Sequence, residues 1–141
     1  MYTPHTVTLI LANETDDGMN YNSVVLNGVF LDLSKRSSLV DRGVTDLDSA
    51  TLFIPFTIST DKTYLPPKQY LALADKSRNW TIFEGGESSG TECWFIKGEQ
   101  AEDIYPFATA REKHDYCYRV TTVDFLDYGS EAMQHWEVGG R

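Results

Sequence analysis

Alternating hydrophobic and polar positions predict β-strands along most of the chain. In "HTVTLILA", Val7, Leu9 and Leu11 fall on one face and threonines on the other, which is the pattern of a strand with one buried face. "ATLFIPFTIS" predicts a further strand, whose apolar face carries Leu52, Ile54, Phe56 and Ile58. Pro55 in that strand has no N–H to donate, so the sheet is expected to have a free edge at this point.

The segment "SVVLNGVFLDL" changes its hydrophobic phase at Gly28. Val24 and Leu26 belong to one phase, and the apolar residues from Val29 onward belong to the other. A β-bulge at the glycine absorbs one extra residue and bends the strand. The pattern therefore predicts a curved strand, as a small closed barrel requires.

A polar segment of 16 residues, "SKRSSLVDRGVTDLDS" at 34–49, separates the second predicted strand from the third. We interpret it as a long loop, and loops of this length in compact domains usually have a function or are disordered. Lys35, Arg36 and Arg42 lie in it and make up a quarter of the 12 lysines and arginines. Two interpretations stay open: a solvated loop, or a loop that contacts neighbouring subunits or DNA.

The rest of the chain predicts short helical insertions between further strands. "YLPPKQYLALAD" predicts a short helix that starts near Pro67, and "AEDIYPFATAREKHD" predicts helical turns broken near Pro106. "NWTIFEGGESSGTECWFIKGE" has the pattern of a hairpin, and "CYRVTTVDF" and "MQHWEV" predict the last two strands. The prediction is a single mostly-β domain over residues 1–141, a small β-barrel or sandwich of seven or eight short strands with one or two short helical insertions.

Composition restricts the classes of partner. The formal net charge of −9 argues against wrapping nucleic acid, which needs clustered cations, but it is compatible with a wall along which DNA slides. The sequence predicts neither a signal peptide nor a membrane span. Cys93 and Cys117 lie in separate predicted strands without metal-type spacing, so we expect buried, reduced thiols in a cytosolic compartment.

No catalytic or metal-binding constellation emerges. A metal site needs three or four converging ligands, whereas His5, His114 and His135 lie on the first strand, a helix and the last strand. His5 and His135 could meet if the first and last strands pair, and a cross-strand or interface contact is the favoured interpretation. "GESSG" lacks the strand and helix that flank a nucleophile elbow, and "GGESSG" lacks the lysine of a phosphate loop. We expect no enzymatic activity, no metal and no cofactor.

Several motifs together resemble a known group of proteins. "HTVTL", "ATLFIPF", "KTYLPPKQY", "WTIFEGG", "CWFIKGE", "YRVTTVD" and above all "DYGSEAMQHWEVGGR" look like an uncharacterised family of small prophage proteins. Its members occur in phages of Gram-positive bacteria, within the virion structural block beside portal and capsid proteins. The resemblance spans nearly the whole chain.

A looser resemblance concerns phage head–tail connector proteins of the stopper, or head-closure, type. "HTVTL", the loop from Lys35 to Asp48 and "RVTTVD" fall in the corresponding order. Stoppers are small β-barrels that form a ring under the portal and its adaptor, and their long loop projects into the channel. This chain departs from them by insertions at 66–75 and 101–115, and its loop has no plug-forming pattern.

The resemblance implies two functional groups of residues. The group expected in the channel loop, facing DNA, is Lys35, Arg36, Arg42 and Asp46. The group expected at a subunit or partner interface is Tyr128, Gln134, His135 and Trp136. For Trp136, ordinary core packing is the equal alternative, because it alternates with Val138.

The implied protein is a virion component that joins the portal and adaptor above to the tail terminator or tail tube below. It would form a six- or twelve-fold ring of its own copies and line the channel of packaged DNA without sequence-specific binding or membrane contact. It would be assembled in the bacterial host cytoplasm. The alternatives are another neck or tail component (tail terminator, tail-completion or minor capsid protein) and, from a different class, a small-ligand-binding β-barrel.

Overall fold

Eight strands and two short α-helices make up the fold. The computed structural model describes residues 3–38, 45–84, 90–99 and 106–141. In chain order the elements are β1 (His5–Thr15), β2 (Gly18–Ser38), β3 (Thr45–Pro55), β4 (Thr63–Tyr64), α1 (Pro67–Leu71), β5 (Asn79–Trp80), β6 (Thr91–Lys97), α2 (Phe107–Lys113), β7 (Cys117–Leu126), a 3₁₀-helix (Glu131–Met133) and β8 (His135–Gly140). No helix in the described part of the chain combines the length and the apolar character that crossing a membrane demands.

Six strands form one closed antiparallel sheet. Around the sheet the order is β1-β2-β3-β8-β7-β6, and β6 pairs back onto β1. Closure removes the free edges that an open sheet would leave unpaired. The expectation of a mostly-β, barrel-like fold with short helical insertions is confirmed. At Pro55 the ladder is one-sided, as predicted: β2 pairs with β3 only as far as Phe53, while Pro55 faces His135 of β8.

The predicted bulge in β2 is present at Gly28. The β1–β2 register passes from Thr6 opposite Asn27 to His5 opposite Val29, so Gly28 is the extra residue, and its φ is +89°. β2 pairs with β1 as far as Val29, and it pairs with β3 from Phe30 onward. Because the bulge switches the phase, the apolar residues on both sides of it enter the same core, namely Val24, Leu26, Val29 and Leu31.

The polar segment 34–49 is a paired hairpin rather than a structureless loop. β2 continues to Ser38 and β3 starts at Thr45, with pairs running from Ser34 opposite Ser49 to Ser38 opposite Thr45. Backbone hydrogen bonds between the two arms continue the β2–β3 ladder. This pairing does not depend on the alternating apolar residues that identify a strand in the sequence. Only the tip, residues 39–44, lies outside the described residues. We call residues 34–38 and 45–49 the ribbon.

One end of the closed sheet is capped by the connection between β3 and β6. Within it, β4 and β5 pair in parallel, and the side chains of Tyr70 and Trp80 are fully buried in the core. The predicted hairpin over residues 79–99 is therefore wrong, because β5 pairs with β4 and β6 pairs with β1 and β7. The interior of the closed sheet is filled by the side chains of one hydrophobic core.

Helix α2 covers the outer face of the sheet. Phe107 and Ala110 of the helix pack on Trp94, Ile96 and other residues of β1, β6 and β7. Helix α1 begins at Pro67, as predicted. For 101–115 the sequence predicts helical turns broken near Pro106; α2 starts directly after that residue, which is its N-cap, and residues 101–105 lie outside the described part of the chain. Proline suits these positions because the first helical N–H groups need no intrahelical partner.

The terminal Gly139-Gly140 pair is required by close packing. A Cβ atom at Gly140 would lie 2.9 Å from the ring of Phe95 and 3.0 Å from Cβ of Tyr118. Those two rings stack on each other with centroids 5.7 Å apart. A Cβ at Gly139 would collide with the hydroxyl of Thr122. A side chain at either position would require the neighbouring side chains to shift.

Candidate functional site

The ribbon carries the residues expected in the channel loop. Lys35 lies opposite Asp48 in the register, Arg36 opposite Leu47, and Asp46 opposite Ser37, whereas Arg42 lies outside the described residues. Among the described strands, β1 pairs with β2 only as far as Val29 and β8 pairs with β3 only from Ala50. The ribbon therefore extends beyond the closed sheet as two strands whose outer edges have no described strand partner, and such edges can accept a strand from another chain.

The turn between β7 and β8 carries the residues expected at a partner surface. Tyr128 is 72% exposed, and Gln134 and His135 are half-buried. The turn is held internally: Met133 N donates to Ser130 O at 2.8 Å, and Gln134 Nε2 donates to Gly129 O at 3.4 Å. Tyr128 is therefore accessible to a partner and Gln134 and His135 are partly so, while their role at an interface stays a prediction.

Trp136 belongs to the core and not to that surface. It is 6% exposed and contacts Phe56 and Tyr64 with ring centroids 4.6 and 4.7 Å away, and Trp80 at 5.8 Å. Its placement at a partner interface is therefore corrected, because residues of β8 alternate and Trp136 shares the inward face with Val138.

A cavity of about 300 Å³ opens beside this aromatic cluster. Phe56, Tyr64, Trp80 and Trp136 contribute to its wall, and Lys62 stands among the residues that line it. This volume is at the lower limit of ligand pockets, which often lie at the mouths of closed sheets. Burial raises the pKa of Tyr64, against the opposing effect of side-chain hydrogen bonds, so its hydroxyl stays neutral.

His5 and His135 do not meet. Their rings are the two ends of a row that crosses four adjacent strands, with Phe30 and Phe53 between them and neighbouring centroids 5.6 to 5.8 Å apart. The Nδ1 atom of His5 accepts a hydrogen bond from Leu31 N at 3.0 Å. His135 Nδ1 lies 2.7 Å from the carbonyl oxygen of Met133, so it donates there.

The described residues contain no group of three or more side chains of the metal-ligating types placed to hold an ion. The two thiols are buried and free. Burial raises the pKa of Cys93 to about 12 and that of Cys117 to about 11. Since the thiolate is the nucleophile, both thiols are protonated and inert at neutral pH, as expected of packing residues.

A buried polar network ties β2 to the capping connection. Asn22 Nδ2 donates to the carbonyl oxygens of Lys76 and Asn79, both at 2.8 Å, and lies 3.1 Å from the hydroxyl of Tyr70. Its Oδ1 atom accepts from Lys62 Nζ at 2.7 Å. Burial lowers the pKa of Lys62, and nearby Asp61 partly opposes the effect. Sequence reasoning missed this network, because a single Asn in a strand gives no signal of its distant partners.

Sequence reasoning also missed two large exposed residues next to Tyr128. Phe125 is 56% exposed and Met133 is 65% exposed. A register shift between Val120 and Thr122 of β7 changes which residues face outward, and it gives no signal in the alternation. Phe125 therefore lies against Phe56 at 4.6 Å at the edge of the core, with much of its ring in solvent.

These features define a class: a small, mostly-β protein with a closed six-stranded antiparallel sheet, a projecting ribbon and an exposed apolar turn. The chain belongs to the family of unknown function DUF6751, whose model matches residues 2–141. Neither the curated proteins nor the solved structures contain a significant match to it.

Proposed function

We propose that this chain is a phage virion structural protein, a subunit of the head–tail connector ring that is most similar to stopper or head-closure proteins. The sequence resemblance supports this role, and so does the small closed sheet. The observation that carries the proposal is the ribbon: two hydrogen-bonded arms that extend past the sheet.

The ribbon suits a channel-facing element for a physical reason. A paired ribbon keeps its direction better than a loop of the same length, because each residue pair is fixed by the ladder. Five pairs from Ser34–Ser49 to Ser38–Thr45 extend it by roughly 17 Å at about 3.4 Å per residue. That reach allows one subunit to touch a neighbour or DNA in the middle of a ring.

In this proposal the protein has no enzymatic activity and no cofactor. It forms a six- or twelve-fold ring, contacts the portal or adaptor on one side and the tail terminator or tail tube on the other, and lets DNA pass. Its location is the virion. The net charge of −9 would keep passing DNA from adhering. The alternative is that the chain is a different neck or tail component. It would then also be part of the virion, but it would contact other virion proteins.

The test is the protein content of particles from an induced lysogen that encodes the chain. After DNase treatment and density-gradient purification, mass spectrometry should find the chain in DNA-filled virions at about six or twelve copies for each portal ring. Its absence from particles that contain portal and tail proteins would overturn the proposal.

The cavity beside Trp136 favours a second candidate, binding of a small ligand. Trp80 and Trp136 both line the cavity, so a molecule bound there would shift the tryptophan emission. Screening a metabolite collection by fluorescence tests this function. A saturable shift that disappears in Tyr64→Ala would support it and count against a purely structural role.

A further inference from the structure

The β7–β8 turn presents apolar side chains to solvent from a fixed backbone. Phe125, Tyr128 and Met133 are 56%, 72% and 65% exposed. Gly129 has a φ of +88°, a conformation that glycine adopts readily, and the 3₁₀-helix from Glu131 to Met133 follows it. Large apolar residues held outward in a group mark interaction sites on soluble proteins.

Negative charges surround these apolar side chains. Asp124, Asp127 and Glu131 are exposed, and the sequence contains no lysine or arginine between Arg119 and Arg141. A surface complementary to the turn would therefore carry an exposed apolar residue of its own, surrounded by lysine or arginine side chains.

Such a surface exists on the same chain, around α1. Leu71 is 41% exposed, and Lys68 and Arg78 are exposed beside it in the sequence, with Lys76 half-buried. Asp75 is the only acidic residue between Asp61 and Glu84. We call Lys68, Leu71, Lys76 and Arg78 the α1 patch.

The turn and the α1 patch are two different surfaces of the chain. The turn joins β7 to β8, whereas the part of the capping connection that contains the patch is hydrogen-bonded to β2 through Asn22. β2 and β7 are not neighbours in the six-strand order. Because the two surfaces differ, one copy can use each of them on a different neighbour.

We propose that the β7–β8 turn of one copy docks on the α1 patch of a second copy, in a head-to-tail contact. A contact between two different surfaces repeats around a rotation axis and generates a ring when the rotation closes. This inference deepens the proposed function, because it identifies the contact by which connector subunits associate.

The face around α2 is a poorer partner, because several of its cations have contacts within the chain, whereas in the α1 patch it is Lys76 that has one, its Nζ donating to Leu73 O at 2.7 Å. Lys97 lies over the ring of Tyr116 at 4.9 Å, and Arg111 donates to Arg141 O at 3.3 Å. Arg119 forms an ion pair with Glu92 at 2.7 Å. Acidic residues are also interspersed there, including Glu99, Glu112 and Asp115.

Zero-length carbodiimide cross-linking tests the contact directly, since it joins a carboxylate to an amine only when the two touch. Equal amounts of ¹⁵N-labelled and unlabelled protein are mixed at high concentration and digested for mass spectrometry. We expect mixed-isotope links that join Lys68 or Lys76 to Asp127 or Glu131. No mixed-isotope link at these residues, or links from the turn to α2, would overturn the proposal.

Charge-exchange variants provide a matched test, read as self-association by analytical ultracentrifugation because the substitutions also remove groups that the carbodiimide joins. Asp127→Lys with Glu131→Lys should weaken self-association by at least about tenfold, since like charges brought together cost several kcal/mol. Lys68→Glu with Arg78→Glu should do the same, and all four changes in one chain should restore self-association and the links between the turn and the α1 patch. The control, Glu112→Lys with Asp115→Lys on α2, should leave self-association unchanged.

Failure to restore the links in the fourfold variant would contradict the docking. The experiment is independent of the proposed function as such. A chain found in virions without these links would keep its place in the neck and lose this contact, whereas links in a chain absent from virions would show self-association in another role.

Discussion

The ammonium group of Lys62 lies 2.7 Å from Oδ1 of Asn22, and the same nitrogen donates to Ser23 O at 2.5 Å. Asn22 is 7% exposed and uses its amide hydrogens on carbonyl oxygens of the capping connection. One amide thus holds a cation on one side and two backbone segments on the other. This arrangement fixes the cap over the end of the sheet.

Replacing Asn22 should therefore destabilise the whole domain. Asn22→Ala leaves the Lys62 ammonium and two carbonyl groups without this partner, and we expect a loss of about 2–4 kcal/mol in the free energy of unfolding, since bonds to charged groups are worth about 1.5–3 kcal/mol each. Urea denaturation at pH 7 measures it. Asn20→Ala on the same strand is the control, because the Asn20 side chain bonds to the Asn13 side chain, at 3.2 Å, and its loss should cost less than about 1 kcal/mol. Equal losses would contradict the role of the network.

A second prediction concerns the packing of Gly140. Gly140→Ala should cost about 1–3 kcal/mol, because the added methyl group meets the ring of Phe95 at 2.9 Å and overpacking costs this much. Combining it with Phe95→Leu should cost less than the sum of the two single changes. Thermal denaturation of the four proteins measures the coupling. Strict additivity would show that the ring of Phe95 does not constrain Gly140.

A third prediction concerns alkaline pH. The folded pKa values of Cys93 and Cys117 are about 12 and about 11, against 9.0 for an ordinary thiol. Above pH 9 the unfolded chain releases these protons first, so the free energy of unfolding should fall by up to about 1.4 kcal/mol per pH unit for each thiol. A variant with Cys93→Ala and Cys117→Ala should show a shallower fall over the same range. Denaturant titrations at a series of pH values measure both, and parallel curves would contradict the burial of the thiols.

A fourth prediction separates the core from the exposed turn. Trp136→Ala should destabilise the domain by about 3–5 kcal/mol, as is usual for a buried aromatic residue, because Trp136 contacts four other rings. Tyr128→Ala should change stability by less than about 0.5 kcal/mol. Chemical denaturation compares them. A large loss for Tyr128→Ala would mean that the turn packs on the domain.

A fifth prediction concerns the ribbon. Lys35→Glu with Arg42→Glu should leave the isolated domain folded, since the ribbon lies outside the closed sheet, and should reduce phage yield or DNA retention. Circular dichroism and plaque assays measure the two effects. The same reversal at Lys97 and Lys113, near α2, is the matched control for total charge and should keep more of the yield. Unaltered infectivity in the ribbon variant would count against a channel role.

Much of the local structure could be predicted from the sequence because it depends on neighbouring residues. The phase change at Gly28 and the proline at Pro67 act within a few positions, and each has the predicted effect. Alternation also placed Val7, Leu9 and Leu11 in the core.

Strand partners could not be predicted in the same way. β5 and β6 look like a hairpin because both alternate, but alternation says nothing about which strand lies alongside. The sequence of the ribbon predicts a loop because it is polar and lacks the alternating apolar residues that identify a strand. Exposure of Phe125 depends on a register shift that only the assembled sheet shows.

The most direct measurement is a cryo-EM map of the neck of a phage that encodes this chain. The account predicts a ring of six or twelve copies of the closed six-stranded domain between portal and tail, with the ribbons directed toward the DNA. A fully resolved neck in which every density belongs to other proteins, with this chain absent from the particle, would contradict it.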